Sequence, residues 1–558
     1  VKKSKFLLLL ALSLVLSAFL AGCYGGEEES GGATDGSGDD GGTEETKVTL
    51  TESAEAPGLD TALEADTVSF SIMNNVFEGL YRISEDNEPV PAMAESVDIS
   101  EDEMTYTFTL REGVTWSNGE AVTANDFVYA WRKALDPALE NDAQYGVYML
   151  GGVIKNATEV NAGEVGLEEL GVTAPDDKTL VVELVKPTPY FLYVTAFPTL
   201  FPQNKAYNEE VGTDYATNAG SMIYNGPYVL DTWKGPTGQE WVYTKNEDYW
   251  DAENVDVEEI EVRVVKEAST AANLWDAGDV DLITLTGNNA DLYADAPEKI
   301  IYEEATVFWL KLNQQDPALQ NVNIRKALNM AINKEAMVND IIKDGSVAAN
   351  YFIPSNFVTN PETGEDFREA YGDFYEYDPE QAAELFATGL EELGQDAITL
   401  EILGGDTENA KNIDQFIQAQ LESNLEGLTV DLAPVTFKTR LDRDLALDYQ
   451  MQNAGWGADF LDAKSFANLW ITDGSNNSMA YSSEKYDALI EQASNEFATD
   501  PVKRFEAFQE AERVFMEEDA AIVPLYQRST SYLIRENIEG LVPHPAGAQW
   551  DYKYMSLN

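Results

Sequence analysis

One hundred acidic side chains stand against thirty-five basic ones in this 558-residue chain, a formal charge of −65. A chain so charged repels itself as it collapses, so its fold must bury enough apolar surface to overcome that repulsion. The material is present: 44% of the residues are hydrophobic and 11% aromatic. Nor is the charge confined to a tail. Three lysines (Lys2, Lys3, Lys5) and the eight acids within residues 24–46 cancel only slightly, and residues 47–558 still carry −60. The folded surface itself is therefore acidic. Dense surface carboxylates stay hydrated, and salt screens their repulsion. That points to surroundings of high salt or high pH rather than to one cationic ligand, because a ligand site engages only a few charges. The same surface repels a phosphate backbone, which excludes nucleic acid as a partner.

The chain has one histidine, His544, and one cysteine, Cys23. Two-histidine zinc motifs, Cys-ligated zinc and intrachain disulfides are thereby excluded. A Ser-His-Asp triad would have to use His544, which sits between Pro543 and Pro545 and reads as part of a rigid surface loop. There is no P-loop, no GxSxG elbow and no EF-hand loop. No catalytic residue, metal or cofactor is expected. A pair of carboxylates proves nothing in a chain with 100 acids.

Lys2, Lys3 and Lys5 precede the apolar run Phe6 to Leu20, followed by Leu20-Ala21-Gly22-Cys23. A charged start, a short apolar stretch and small residues form a secretory signal. The apolar run is short for a membrane span. Small residues directly before a lone cysteine resemble the lipobox of bacterial lipoproteins. The expected scheme is a signal peptide over 1–22, a lipidated Cys23, and a tether through residue 47. Residues 24–46 contain eight glycines, eight acids and five Ser/Thr without apolar periodicity. Such a composition does not offset its ordering entropy and acts as a flexible link.

Beyond the tether, helix and strand signals interleave. Tyr106 to Leu110 and Glu259 to Val264 alternate apolar and polar, as half-buried strands do. Thr123-Ala124-Asn125-Asp126 reads as a capping box. It opens a helix whose apolar face is Phe127, Ala130, Trp131, Ala134 and Leu135, ended by Pro137. Ile324 to Ile332 gives a second helix, and Asp500-Pro501 starts a third with proline at its first position. The pattern is α/β without a simple βαβ cadence.

One segment stands out: Asn453-Ala454-Gly455-Trp456-Gly457-Ala458-Asp459. Two glycines flank a tryptophan, and an acid follows three residues after it. Glycine lets backbone approach a ligand closely, the aromatic gives a platform, and the acid a charge anchor. Read alone, the stretch favours a tight turn with a core tryptophan. It resembles, however, the AGWxADY-type stretch in the peptide-binding solute-binding proteins of ABC importers. Other pieces match that family in order. They are Asn75-Val76-Phe77-Glu78-Gly79-Leu80, Tyr106 to Val114 with Trp116-Ser117-Asn118-Gly119, Asn225-Gly226-Pro227-Tyr228, Asn246 to Trp250, and Arg325 to Lys334.

The resemblance implies a two-lobed, type II periplasmic-binding-protein-like α/β fold with an extra inserted domain. Residues 48–77, 194–306 and 523–558 would build lobe I, 78–193 the inserted domain, and 307–522 lobe II, with a hinge near 306 and 522. It further implies a monomeric, lipid-anchored protein on the outer face of the cell membrane that captures oligopeptides and delivers them to importer permease subunits. Asp459 would hold the peptide α-amino group. Trp456 would pack beside its first residues, and the Gly455 and Gly457 backbone would pair with it. Asn453, Phe437 and Tyr145 are expected in the pocket. Enteric members carry arginine where this chain has Asn453, and cysteine where it has Gly457. Lys343, Arg440 and Arg443 are candidates for receiving the peptide carboxylate. Oligosaccharide, nickel-chelate or haem binding, a surface-anchored hydrolase and a peptide sensor remain open as alternatives.

The −60 body generates one expectation of its own. The melting temperature should rise from low to molar salt as repulsion is screened. Differential scanning fluorimetry across that range checks it; a flat or falling curve contradicts the high-salt reading.

Overall fold

The strand signals at Tyr106 to Leu110 and Glu259 to Val264 are realised as Thr105–Leu110 and Glu259–Val264. The capping box forms: the Thr123 N–H donates to Asp126 Oδ2 at 2.8 Å, opening the helix Ala124–Lys133. Its last turn loosens from Ala134 onward, ahead of Pro137, because a residue before proline is disfavoured in the helical region. The helices Val322–Met330 and Pro501–Arg513 occupy the other two expected places. The computed structural model describes residues 46–139, 144–188, 190–541 and 543–558. The signal segment, Cys23 and most of the tether lie outside the described residues.

Three larger sheets organise the described chain. In the first, Lys47–Glu52 pairs parallel with Glu259–Val264, which continues antiparallel to Glu240–Lys245 and then Tyr228–Leu230. The second is an antiparallel sheet in the order Ala94–Ile99, Thr105–Leu110, Thr179–Glu183, Val172–Asp176. Behind it Phe108, Leu180, Phe127 and Trp131 are fully buried, and the Trp131 indole N–H donates to Leu200 O at 2.8 Å. Burying such side chains contributes roughly 1.5–3 kcal/mol each. The buried Arg82 guanidinium donates to Glu78 at 3.2 Å and to Asp551 at 2.6 Å, which ties the end of the chain to residues near its beginning.

The third sheet is mixed. Its order is Leu282–Leu285, Ile522–Ile534, Lys299–Leu312, Met451–Gly457, Ile398–Gly405, Leu428–Val435. The two long strands, Lys299–Leu312 and Ile522–Ile534, run antiparallel through its middle. Strands alternate their side chains between faces. Accordingly Glu304, Thr306 and Phe308 on one strand, and Tyr526, Arg528, Thr530 and Tyr532 on the other, line one cavity. The register shifts between Phe308 and Trp309. The extra residue there is Leu525 on Ile522–Ile534, while the pairing of Thr306 to Leu312 with Met451–Gly457 is unbroken. Trp309 and Lys311 thus belong to the other face of the strand and also line the cavity. A second shift lies between Glu303 and Val307. Inside it, the buried Glu304 carboxylate accepts from Arg528, from Thr530 and, at 3.2 Å, from Thr306.

Candidate functional site

The cavity above these strands has a volume of about 780 Å³. One wall comes from residues around Thr51–Ala54 and from Leu63–Phe70. The other comes from the N-terminus of the helix Glu408–Asn424, the helix Phe437–Leu445 and the strand Met451–Gly457. All seven residues singled out in the sequence line it: Asn453, Gly455, Trp456, Gly457, Asp459, Phe437 and Tyr145.

The segment read as a possible glycine turn is a strand, and neither glycine takes a positive φ. Gly455 is explained by its cross-strand partner. A Cβ there would stand 2.8 Å from the Phe308 ring, which is stacked on Tyr526 at 4.8 Å. The strand pairs with Lys299–Leu312 along its whole length. On its other side Ile398–Gly405 meets it only at Met451 and Gln452. From Asn453 to Gly457 that edge carries no partner strand.

Which backbone groups face the open edge follows from the pairing. The Ala458 N–H donates to Ala305 O at 2.9 Å, and the Asn313 N–H donates to Gln450 O at 2.9 Å. Even-numbered residues thus bond toward Lys299–Leu312. In an antiparallel ladder alternate residues point their N–H and C=O the opposite way, so those of Asn453, Gly455 and Gly457 point to the open edge. The Asn453 carbonyl indeed receives a long contact from Arg440 Nη1, at 3.5 Å.

Asp459 follows the end of this strand and is buried. The Tyr145 hydroxyl donates to its Oδ1, and Ser465 Oγ donates to Oδ2 at 3.3 Å while accepting the Asp459 N–H at 2.8 Å. Burial pushes the carboxyl up to about 7, against the opposing hydrogen bonds from Tyr145, Tyr148 and Ser465. The Trp456 ring packs against Tyr145 at 5.9 Å and Tyr148 at 5.6 Å. Tyr148 and Ser465 were not singled out in the sequence. The three-residue spacing of Tyr145 and Tyr148 on the helix Gln144–Leu150 was the available signal, since such neighbours share a face.

Asn453 donates to Asp414 Oδ1 at 2.7 Å and so takes part in no salt bridge. Burial raises that carboxyl to about 6. Of the three basic candidates only Arg440 lines the cavity. Lys343 pairs with Asp291, and Arg443 pairs with Glu401 and Asp448. Arg440 lies over the Phe437 ring at 5.1 Å and forms no ion pair among the described residues.

His544 departs from its expected place. It sits in a loop, but one folded inward: the Gly547 N–H donates to Ala458 O at 2.8 Å, and His544 Nδ1 lies 2.9 Å from Asn87 Oδ1. The ring is 7% exposed, and burial lowers its pKa and keeps it neutral. No helix among the described residues is long and apolar enough to cross a membrane.

An α/β body folded around a large cavity, with an open backbone edge and charged side chains in its walls, has the form of a solute-binding protein. Residues 88–478 match the family model described as bacterial extracellular solute-binding proteins, family 5 Middle. The chain is 32% identical over 548 residues to the dipeptide-binding protein DppE of Bacillus subtilis, covering 98% of each. It resembles the structure of OppA from Listeria monocytogenes bound to peptide, with a TM-score of 0.88 and 40% identity over 92% of this chain and 99% of that one. It also resembles the pheromone receptor PrgZ, with a TM-score of 0.87 and 33% identity over 92% of this chain and 100% of the receptor. The chain belongs to family 5 of the bacterial extracellular solute-binding proteins, which serve ABC importers, and has their mixed α/β binding-protein fold. It is a binder and not an enzyme.

Proposed function

We propose that this protein captures oligopeptides in the cavity and delivers them to an ABC importer from a lipid anchor at Cys23. The observation that carries the reading is the open edge of Met451–Gly457, with the Gly455 and Gly457 polar groups turned toward it. A peptide offers the same N–H and C=O groups whatever its sequence, so an extended chain added to this edge is held without side-chain selectivity. Asp459 fixes the α-amino group and sets the register. Trp456 packs beside the first residues, and Arg440 receives the terminal carboxylate. The bulged stretch Glu303 to Val307 serves as part of the hinge between lobes with the boundaries given above. The likeness to OppA bound to peptide supports this reading. The likeness to PrgZ supports a second, in which the loaded protein docks a signalling partner instead of a permease. Both readings use the same peptide site.

Asp459→Asn keeps the shape and removes the charge. A buried charge left without its partner is costly. The variant should weaken peptides with free N-termini about 30-fold, or about 2 kcal/mol at 1.4 per tenfold. An N-acetylated peptide should bind the unaltered protein poorly and lose little more in the variant. Calorimetry of both peptides with both proteins closes a double-mutant cycle; a coupling near zero removes Asp459 from the site. Burial holds the carboxyl at about 7. An incoming ammonium must therefore expel its proton at lower pH, and affinity should fall below pH 7 by up to about tenfold per unit.

The anchor has its own test. Stable anchoring needs more than one acyl chain, as the diacylglyceryl-type modification of a lipobox cysteine supplies. Cys23→Ser should leave the protein unprocessed or release it to the medium on cell fractionation. A variant that is processed and retained as before contradicts the lipobox reading.

A further inference from the structure

The acidic excess of the chain extends into the cavity. Nine carboxylates and five basic side chains line it among the described residues. Four of the five bases already face a carboxylate: Lys266 with Asp406, Lys311 with Asp444, Lys438 with Asp442 and Arg528 with Glu304. In the reading above, Asp459 takes the α-amino group and Arg440 the terminal carboxylate. The cavity then still holds a surplus of negative charge that a neutral peptide leaves unanswered.

Two of the lining carboxylates without a basic partner are Glu64 and Asp66. The Glu64 carboxylate makes no hydrogen bond and no ion pair among the described residues, although its backbone N–H donates to Asp60 O at 3.1 Å. Asp66 is 4% exposed; its Oδ1 caps the helix Thr67–Val76 by accepting the Ser69 N–H at 2.9 Å, while its buried Oδ2 has no partner. Burial raises both carboxyls, and Asp66 and Asp60 raise Glu64 further. The cations acting on them, Lys438 on Glu64 and Arg440 on Asp66, belong to the opposite wall and form no ion pair with either. A carboxyl pair in this state gains from any cation that enters and lets both ionise.

The pair is distinct from the α-amino anchor. Asp66 lies one helical turn from Phe70, the Phe70 ring meets Tyr145 at 5.1 Å, and Tyr145 bonds Asp459. The contacts that link Asp66 to Asp459 thus run through two ring-bearing side chains, and no hydrogen bond joins the two acids among the described residues.

We propose that Glu64 and Asp66 form a subsite for a lysine or arginine side chain of the bound peptide, so that the cavity selects cationic peptides. This rests on the peptide-binding reading above and names the ligand class within it.

The test uses alanine pentapeptides with free termini, carrying one lysine, glutamine or glutamate in turn at positions 2 to 5. Binding is measured by calorimetry in 1 M salt, where the Debye length of about 3 Å removes the attraction of the outer surface. At one position lysine should bind about tenfold or more tighter than glutamine, with glutamate weaker than both. Glu64→Gln and Asp66→Asn should bring the lysine-to-glutamine ratio near one. Asn caps a helix as well as Asp does, so Asp66→Asn should keep the fold, which the melting temperature checks. Equal affinity of lysine and glutamine peptides at every position overturns the subsite and leaves peptide binding standing. Binding of none of the peptides overturns the underlying reading instead. Variants that weaken all peptides by one common factor also overturn the subsite, and assign the two acids to contact between the walls.

Discussion

The antiparallel pairing of Lys299–Leu312 with Ile522–Ile534 is the constraint on which the rest depends. These strands form the floor of the cavity and carry its neighbours on both sides. Their strict alternation places Glu304, Thr306 and Phe308 beside Tyr526, Arg528 and Thr530 on one face. Trp309 and Lys311, on the opposite face of the same strand, line the cavity as well. The same floor fixes Met451–Gly457. Its even-numbered residues are bonded to Lys299–Leu312, and its odd-numbered residues are left for whatever occupies the cavity. Gly455 belongs to this arrangement as well, since the Phe308 ring fills the space a side chain would need.

Electrostatics divides the molecule into two regimes. On the surface, carboxylates are hydrated and interact weakly, and most ion pairs there contribute little. In the cavity wall the same side chains lose water, and burial raises Asp66 to about 6 and Asp459 to about 7. Carboxyls raised in this way bind protons near neutral pH that a cationic ligand displaces. Acidic composition and ligand chemistry are therefore linked, although the sequence alone favours assigning the charge to the surroundings.

The local elements were legible because local rules fix them. Thr123 and Asp126 announce a capping box, and the alternation at Thr105–Leu110 and Glu259–Val264 announces strands. The family resemblance drew attention to Trp456 and Asp459, and both face the cavity. What stayed hidden depends on partners distant in the chain. The open edge exists because Ile398–Gly405 stops pairing after Gln452, which no spacing in Asn453 to Asp459 reveals. His544 looked exposed between two prolines, yet Asn87 and the Gly547–Ala458 bond draw its loop inward. Glu64 and Asp66 are two acids among 100, and only their burial without an ion pair distinguishes them.

The central claim is that the odd-numbered edge of Met451–Gly457 receives the ligand backbone. Amide exchange read residue by residue tests it directly, in protein labelled with ¹⁵N at glycine, alanine and tryptophan. Bound peptide should slow exchange at Gly455 and Gly457. Ala454 and Trp456, already bonded to Lys299–Leu312, should be slow with or without peptide. Unchanged exchange at both glycines in a peptide-saturated sample would contradict the account.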